Sequence, residues 1–548
     1  MLKAWLAALW LGFALMAPAA AAAPPPAPKL VVVLAMDQFS LELFQRYQPT
    51  FTGGLKRLGD GLVFAGYQSH AATETCPGHS TMLTGDHPAR TGIVANNWYD
   101  RATGSNVYCV SVRGVADPTA SGSSLLRVDT LGDWLKQQKP GARSVSVSGK
   151  DRAAIMMAGH HADAVYWWID GVGFSTSRYA GPATAKVLAP ARAFDRETFA
   201  AWRKTPPRLW PAEVPDRCTA LEKPYTFGRA ATSGALPPTL SKDAERNKDF
   251  PTDARFLDQL RVSPAFDPMT LAFAERLVQV DRLGRGRASD LLAVSLSATD
   301  FVGHRYGNGG AEMCVHLAEV DQALGRFFDR LDGLKAPYVV VLTADHGAID
   351  APERLGPPAQ RIDVAMVTGG LSAYLRKTFS LDYDPLAGDD PRQIILNLPP
   401  GDEPRRAALR DAALTWLKAR PEVAAAFTAD EIVRSAPPAD RLVTDLTLAE
   451  RFHESYDRER SGDILVAYVE RSTLGVPTTL ADTVAGHGSP WDYDRRVPIL
   501  LWWPGVAHTP EPTPMETVDI APTLAAMLKV KPPAIDGRCV EVGQGCPR

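Results

Sequence analysis

The sequence predicts an α/β layered fold with a mostly parallel central sheet, helices on both faces and inserted cap segments. Three observations predict it. Short β-branched apolar runs recur along the chain, amphipathic segments of helical period lie between them, and the alternation lapses in two longer stretches.

Taken in order, the first residues stand apart from the fold. Met1 to Lys3 is a short basic start, Ala4 to Met16 is almost wholly apolar, and Ala19 to Ala23 offers small-residue cleavage sites before Pro24 to Pro26. That is the order of a secretory signal, so residues 1–23 are expected to be a cleaved signal peptide and the mature protein to be periplasmic or secreted. The apolar run is short for a membrane span, and no later stretch reaches ~18 uninterrupted apolar residues. The mature form is therefore expected to be soluble, with no membrane partner.

The first strand is Lys29 to Ala35. Later runs of the same kind are 144–148, 291–297, 338–343, 464–469 and 498–503. Continuous apolar runs suit strands of a parallel sheet covered on both faces. Met313, Leu317, Val320, Leu324, Phe327 and Leu331 recur every three or four residues, one apolar stripe on a helix that ends near Leu334. Val518 to Leu528 reads as another helix, with Pro522 in an early turn. Residues of about 180–265, rich in Pro, Arg, Lys and Asp, read as an insertion with little sheet; about 376–460 is a second variable stretch.

Composition narrows the function. With 45% hydrophobic and 22% charged residues, the 548-residue chain has the apolar content for a large core, which excludes disorder, collagen and coiled coil. Lys and Arg total 59 against 62 Asp and Glu, and no basic run stands out, so nothing marks a nucleic-acid partner. Six cysteines agree with an oxidising compartment. Cys539 and Cys546 close a short loop and could pair; Cys109, Cys218 and Cys314 could supply one further bridge.

Ligands bind at the carboxyl ends of strands in such folds. The run 29–35 ends in Met36-Asp37-Gln38, 291–297 leads to Thr299-Asp300 and Gly303-His304, and 338–343 ends in Ala344-Asp345-His346-Gly347. Gly486-His487-Gly488 is a Gly-bounded loop. Three carboxylates and three imidazoles thus collect where strands give way to loops. Nitrogen and carboxylate oxygen suit zinc, and six such ligands are too many for one open tetrahedral site but fit two metals. Asp300 and His304, four apart, share a face if that turn is helical.

A nucleophile candidate lies in Thr73-Glu74-Thr75-Cys76-Pro77-Gly78-His79. Pro77 fits a first helical turn, which puts Thr75 or Cys76 at the N-terminus, where free N–H groups favour an anion. A bound metal can lower the pKa of a hydroxyl there. Lys150 and Arg152 follow a strand and, in extended backbone, would point to one side as a grip on phosphoryl oxygens. Asn96-Asn97-Trp98-Tyr99-Asp100 reads as a polar turn that could add an amide.

These blocks, in this order across most of the chain, resemble the alkaline phosphatase superfamily. They are most similar to its exported, phosphate-irrepressible alkaline phosphatases with a threonine nucleophile. The resemblance implies an alkaline-phosphatase-like fold, with 29–548 as a single catalytic domain. It implies two zinc ions per chain: one held by Asp37, Asp345, His346 and Thr75, the other by Asp300, His304 and His487. Thr75 then becomes the nucleophile, and Asn96, matching better than Asn97, contacts phosphate. Lys150 and Arg152 match the pair that replaces a third metal, so no catalytic magnesium is expected. Substrates would be small-molecule phosphate monoesters. A monomer is compatible with the sequence, which fixes neither oligomeric state nor natural substrate.

Nucleotide pyrophosphatase/phosphodiesterases are similar but lack the Lys-x-Arg pair and need room for a second ester group. Sulfatases mature a Cys or Ser in a Cys/Ser-x-Pro-x-Arg motif, absent here, which leaves Cys76 as a packed residue beside the nucleophile. A non-catalytic zinc- or phosphate-binding protein is expected to have lost a ligand or the nucleophile, and none is missing.

Overall fold

A computed structural model describes residues 27–115, 117, 120–240, 242, 253–399 and 401–547. The expected signal peptide lies outside these. Among the described residues no helix is long and apolar enough to cross a membrane.

Nine strands form the main sheet, in the order Thr509–Glu516, Leu62–Tyr67, Arg496–Trp502, Tyr338–Thr343, Leu30–Met36, Asp290–Leu296, Ser144–Ser148, Ala164–Ile169 and Gly173–Ser175. The centre is parallel: Leu30–Met36 pairs in parallel with both Asp290–Leu296 and Tyr338–Thr343, and the sheet continues in parallel to Ala164–Ile169. Alternate residues of Leu30–Met36 enter opposite cores. Val32, Leu34 and Met36 pack with Leu317, Val320 and Leu324 of helix Ala311–Asp332, and Val31, Val33 and Ala35 pack with Ile520 and Leu524 of helix Ile520–Leu528. Both faces are covered, which is why these strands read as unbroken apolar runs. The whole stripe from Met313 to Leu331 is buried in the first core, as its spacing predicts.

Two predicted strands differ in place or direction. The run 498–503 lies in the main sheet as part of Arg496–Trp502, but antiparallel to both neighbours. The run 464–469 is outside it: Ile464–Tyr468 joins Leu386–Ala387, Gln393–Leu396 and Val423–Thr428 in a separate antiparallel sheet. Helices Val364–Phe379 and Glu403–Lys418 pack on that sheet through Leu371, Leu375, Leu409 and Ala413. A buried apolar run reads alike in either sheet, so sequence pattern alone does not separate them.

The stretch 180–265 carries more helix than sheet in its described part. Ala185–Lys204 and Ala254–Arg261 flank the hairpin Tyr225–Phe227/Ala230–Thr232. A Cys218–Cys314 disulfide ties it to helix Ala311–Asp332. Cys539 pairs with Cys546, as expected, and Cys76 pairs with Cys109. Cys76 is thus not simply a packed residue; it is cross-linked to the segment after the 97–108 hairpin.

Register sets up the site. Met36 pairs with Leu296 and Ala35 with Thr343, so the strands end level. Asp37, the segment leading to Asp300, and Asp345 all emerge at one carboxyl edge, with Lys150 two residues past Ser148 beside them.

Candidate active site

The segment after Asp290–Leu296 turns directly into helix Ala298–Tyr306, which places Asp300 and His304 on one helical face. His304 Nε2 lies 3.1 Å from Asp300 Oδ1, and His487 Nε2 lies 3.5 Å from the same oxygen. On the neighbouring strand end, His346 Nε2 lies 3.2 Å from Asp345 Oδ2. The two groups adjoin through the stacked rings of His346 and His487, 3.6 Å between centroids.

The hydrogen bonds fix what the three imidazoles can offer. Their Nδ1 atoms lie 2.8, 2.9 and 2.8 Å from the carbonyl oxygens of Ala485, Gly347 and Thr73, for His304, His346 and His487 respectively. A carbonyl only accepts, so each Nδ1 carries the proton and each Nε2 presents a lone pair. Those lone pairs face carboxylate oxygens. Asp300 Oδ1, Asp345 Oδ2 and His346 Nε2 are buried with no hydrogen-bond partner. Acceptor turned on acceptor in a buried place is the arrangement a divalent cation satisfies, with the backbone carbonyls orienting the rings. The donor set of imidazole and carboxylate suits zinc.

The carboxylates are charged. Burial opposes ionisation of Asp300, but the Lys150 ammonium, together with His304 whenever that ring is protonated, holds its carboxyl well below the usual range. Burial likewise opposes Asp345, yet protonated His346 and His79 hold it low, and Asp345 in turn raises His346, so a proton and a cation compete for the His346 Nε2. Burial, with His346 beside it, pushes His487 down to about 4, which keeps its Nε2 unprotonated at neutral pH.

Thr75 opens helix Thr75–Thr84, with Glu74 as N-cap, and is 1% exposed. Pro77 falls in the first turn. Gly78 lets this helix press on the Asp345 segment, because a Cβ there would overlap the Asp345 carbonyl. His79, one turn after Thr75, donates from Nδ1 to the Thr75 carbonyl at 2.9 Å. Its ring lies 3.3 Å from both Asp37 Oδ1 and Asp345 Oδ2. Asp37, His79 and Asp345 bring ligand atoms within 4.8 Å of one another, as do Asp300, His304 and His487. His79 stands in the Thr75 motif without a role that the sequence assigns; its i, i+4 spacing from Thr75 is the signal that marks it.

Asn96 faces the same turn. Cys76 N–H donates to Asn96 Oδ1 at 2.9 Å, so the amide must present its oxygen there and keeps its Nδ2 donors for another partner. The segment is not a plain turn: Asn97–Asp100 is a strand, paired with Ser105–Tyr108. Lys150 and Arg152 are not on extended backbone either. Lys150 is the N-cap of helix Asp151–Ala158 and Arg152 lies in its first turn, so the pair sits at a helix N-terminus. Lys150 Nζ is 2.8 Å from Asp37 Oδ2 and 2.5 Å from Asp300 Oδ2, spanning the two groups. Arg152 Nη1 reaches the Tyr108 hydroxyl at 3.4 Å, while its Nε is buried without a partner.

Residues 31–489 match the family model described as type I phosphodiesterase / nucleotide pyrophosphatase. Alkaline phosphatase PhoK of a Sphingomonas species is 41% identical, over 94% of this chain and 92% of its own. Alkaline phosphatase PhoD of Zymomonas mobilis is also 41% identical, over 94% and 88%. The crystal structure of wild-type alkaline phosphatase PafA superposes with a TM-score of 0.80 at 26% identity, over 93% of this chain and 97% of that one.

Proposed function

Since the chain belongs to the type I phosphodiesterase / nucleotide pyrophosphatase family, within the alkaline phosphatase superfamily, we propose that it is an exported alkaline phosphatase. It hydrolyses phosphate monoesters through a phosphothreonine at Thr75. In this reading Asp300, His304 and His487 hold one zinc, and Asp37, Asp345, His346 and Thr75 the other. Bound there, the two cations would lower the pKa of the Thr75 hydroxyl and neutralise charge on the leaving oxygen.

The chain's own groups do the rest. The Thr75 hydroxyl gives its proton to solvent, its oxygen attacks phosphorus in line, the new Oγ–P bond forms and the bond to the ester oxygen breaks, and the leaving oxygen takes a proton from water and departs as the alcohol. Water then attacks the phosphothreonine, frees inorganic phosphate and returns Thr75. Lys150, Arg152 and the Asn96 Nδ2 donors take the non-bridging oxygens, whose charge must be matched in a largely electrostatic reaction. Two cationic side chains suit the dianionic monoester better than a diester, and relatives named alkaline phosphatases over nearly the whole chain support the same choice. All six cysteines are paired, which supports an exported, oxidising location.

The observation that carries the reading is the set of Nε2 lone pairs turned on carboxylates beside a helix that begins with Thr75. Metal analysis with turnover of a monoester, a diester and a sulfate ester tests it, in wild type and Thr75→Ala. Two zincs per chain and a monoesterase that needs Thr75 are expected. An active Thr75→Ala protein would overturn the nucleophile.

A further inference from the structure

Arg392 enters no motif recognised in the sequence. It lies in the second variable stretch, just before strand Gln393–Leu396 of the small sheet. The chain nevertheless folds it against the nucleophile turn. Its Nη2 donates to Glu74 Oε1, its Nη1 to the Gly488 carbonyl at 3.0 Å and, more distantly, to that of His487 at 3.5 Å, and its Nε to Asp390 Oδ1 at 2.9 Å. Gly488 has φ +99°, and a Cβ there would collide with the guanidinium. Glycine is what lets the backbone turn its carbonyl onto Arg392.

Glu74 passes the contact on. Its second oxygen, Oε2, accepts from Asn96 N–H at 2.7 Å, and Asn96 Oδ1 accepts from Cys76 N–H at 2.9 Å. The neighbouring Thr73 closes the ring from the other side: its carbonyl takes the His487 Nδ1 proton at 2.8 Å, and its hydroxyl donates to the Ser489 carbonyl at 2.7 Å. A guanidinium fork, a carboxylate and an amide thus join the residue before Thr75, the proposed phosphate-contacting Asn96 and the loop of His487. Glu74 is 8% exposed, so solvent screens the pair less than a surface ion pair.

We propose that Arg392 is a positioning residue, which through Glu74 and the 487–488 carbonyls holds Thr75, Asn96 and His487 in one register. The inference rests on the proposed nucleophile and phosphate contact. It makes the small antiparallel sheet part of the catalytic apparatus, since that sheet fixes Arg392. The Val466 N–H bonds the Arg392 carbonyl at 2.9 Å, so the residue is anchored at backbone and side chain.

The test compares wild type, Arg392→Ala, Arg392→Lys, Glu74→Gln and Glu74→Gln/Arg392→Ala, each zinc-loaded. Readouts are kcat and KM on an aryl phosphate, affinity for inorganic phosphate, zinc per chain and Tm. Partners that orient metal ligands typically change function by about 10–100-fold when removed. Arg392→Ala and Glu74→Gln are each expected to lower kcat/KM by about that factor and to weaken phosphate binding. Zinc content and Tm should stay close to wild type. The double variant should be no worse than the worse single, and Arg392→Lys should recover part of the loss. Multiplying losses, or a Glu74→Gln protein at the wild-type rate, would overturn the proposal. Should Arg392→Ala not fold, Glu74→Gln and Arg392→Lys decide alone. Failure of the underlying reading looks different: wild type would not turn over the monoester, or Thr75→Ala would.

Discussion

Each imidazole of the candidate zinc set has its Nδ1 proton committed to a backbone carbonyl, so its only remaining chemistry is at Nε2. Thr75 is similarly committed by place, first in its helix and buried. Thr75→Ala is expected to lower kcat by about a thousandfold or more while still folding and binding zinc through the other ligands; phosphopeptide mapping of acid-quenched enzyme should find label on Thr75 in wild type alone. Replacing Lys150 and Arg152 together by Ala should cost about 100-fold or more on a monoester and much less on a diester. Equal loss on both would transfer the assignment to a phosphodiesterase. At this scale the carboxylates and histidines of the candidate site are legible in the sequence because strand-end carboxylates and histidines are local signals. His79 and Arg392 escaped, the first because a helical histidine usually packs, the second because nothing local marks a residue whose partners lie 95 and 318 positions away.

Elements explain why those side chains stay where they are. Helix Thr75–Thr84 is held by Gly78 against the Asp345 carbonyl and by the Cys76–Cys109 disulfide, which closes a loop 33 residues long. A Cys76→Ala/Cys109→Ala protein is expected to lose about 2–4 kcal/mol of stability, read by denaturant unfolding, while keeping monoesterase activity when folded. Loss of all activity in a folded, metallated variant would instead show that the cross-link fixes the Thr75 turn. Helix Ala185–Lys204 carries a separate pH dependence. Burial pushes Asp195 up to about 7 from 3.8, although Phe174 N–H pulls the other way. The folded state therefore keeps a proton that the unfolded chain gives up. That contribution is complete below the unfolded value and is lost as pH rises towards about 7. Asp195→Asn should accordingly show a flatter stability profile than wild type between pH 4 and 7; parallel profiles would refute the buried-acid account. Helix existence was legible from periodicity, but the seat of Lys150 and Arg152 at a helix start was not, because two cations spaced by one residue fit strand and helix start alike.

At the scale of the molecule, the parallel centre of the sheet is what brings residues 37, 300 and 345 to one edge, through strands that end level. That much follows from unbroken apolar runs and from the rule that ligands sit at strand carboxyl ends. Membership of the 464–468 strand in a second sheet does not follow, since the burial that makes it apolar is the same in both. Zinc, by binding only the folded arrangement, should also stabilise it. Chelation is expected to abolish turnover and lower Tm, with zinc and not magnesium restoring both; unchanged Tm on complete zinc loss would argue against a built two-metal site. The most direct test is anomalous diffraction at the zinc edge from zinc-loaded crystals. Two peaks are predicted, one among Asp300, His304 and His487 and one among Asp37, Asp345 and His346 with the Thr75 hydroxyl on it. A single peak, or peaks away from Thr75, would contradict the account.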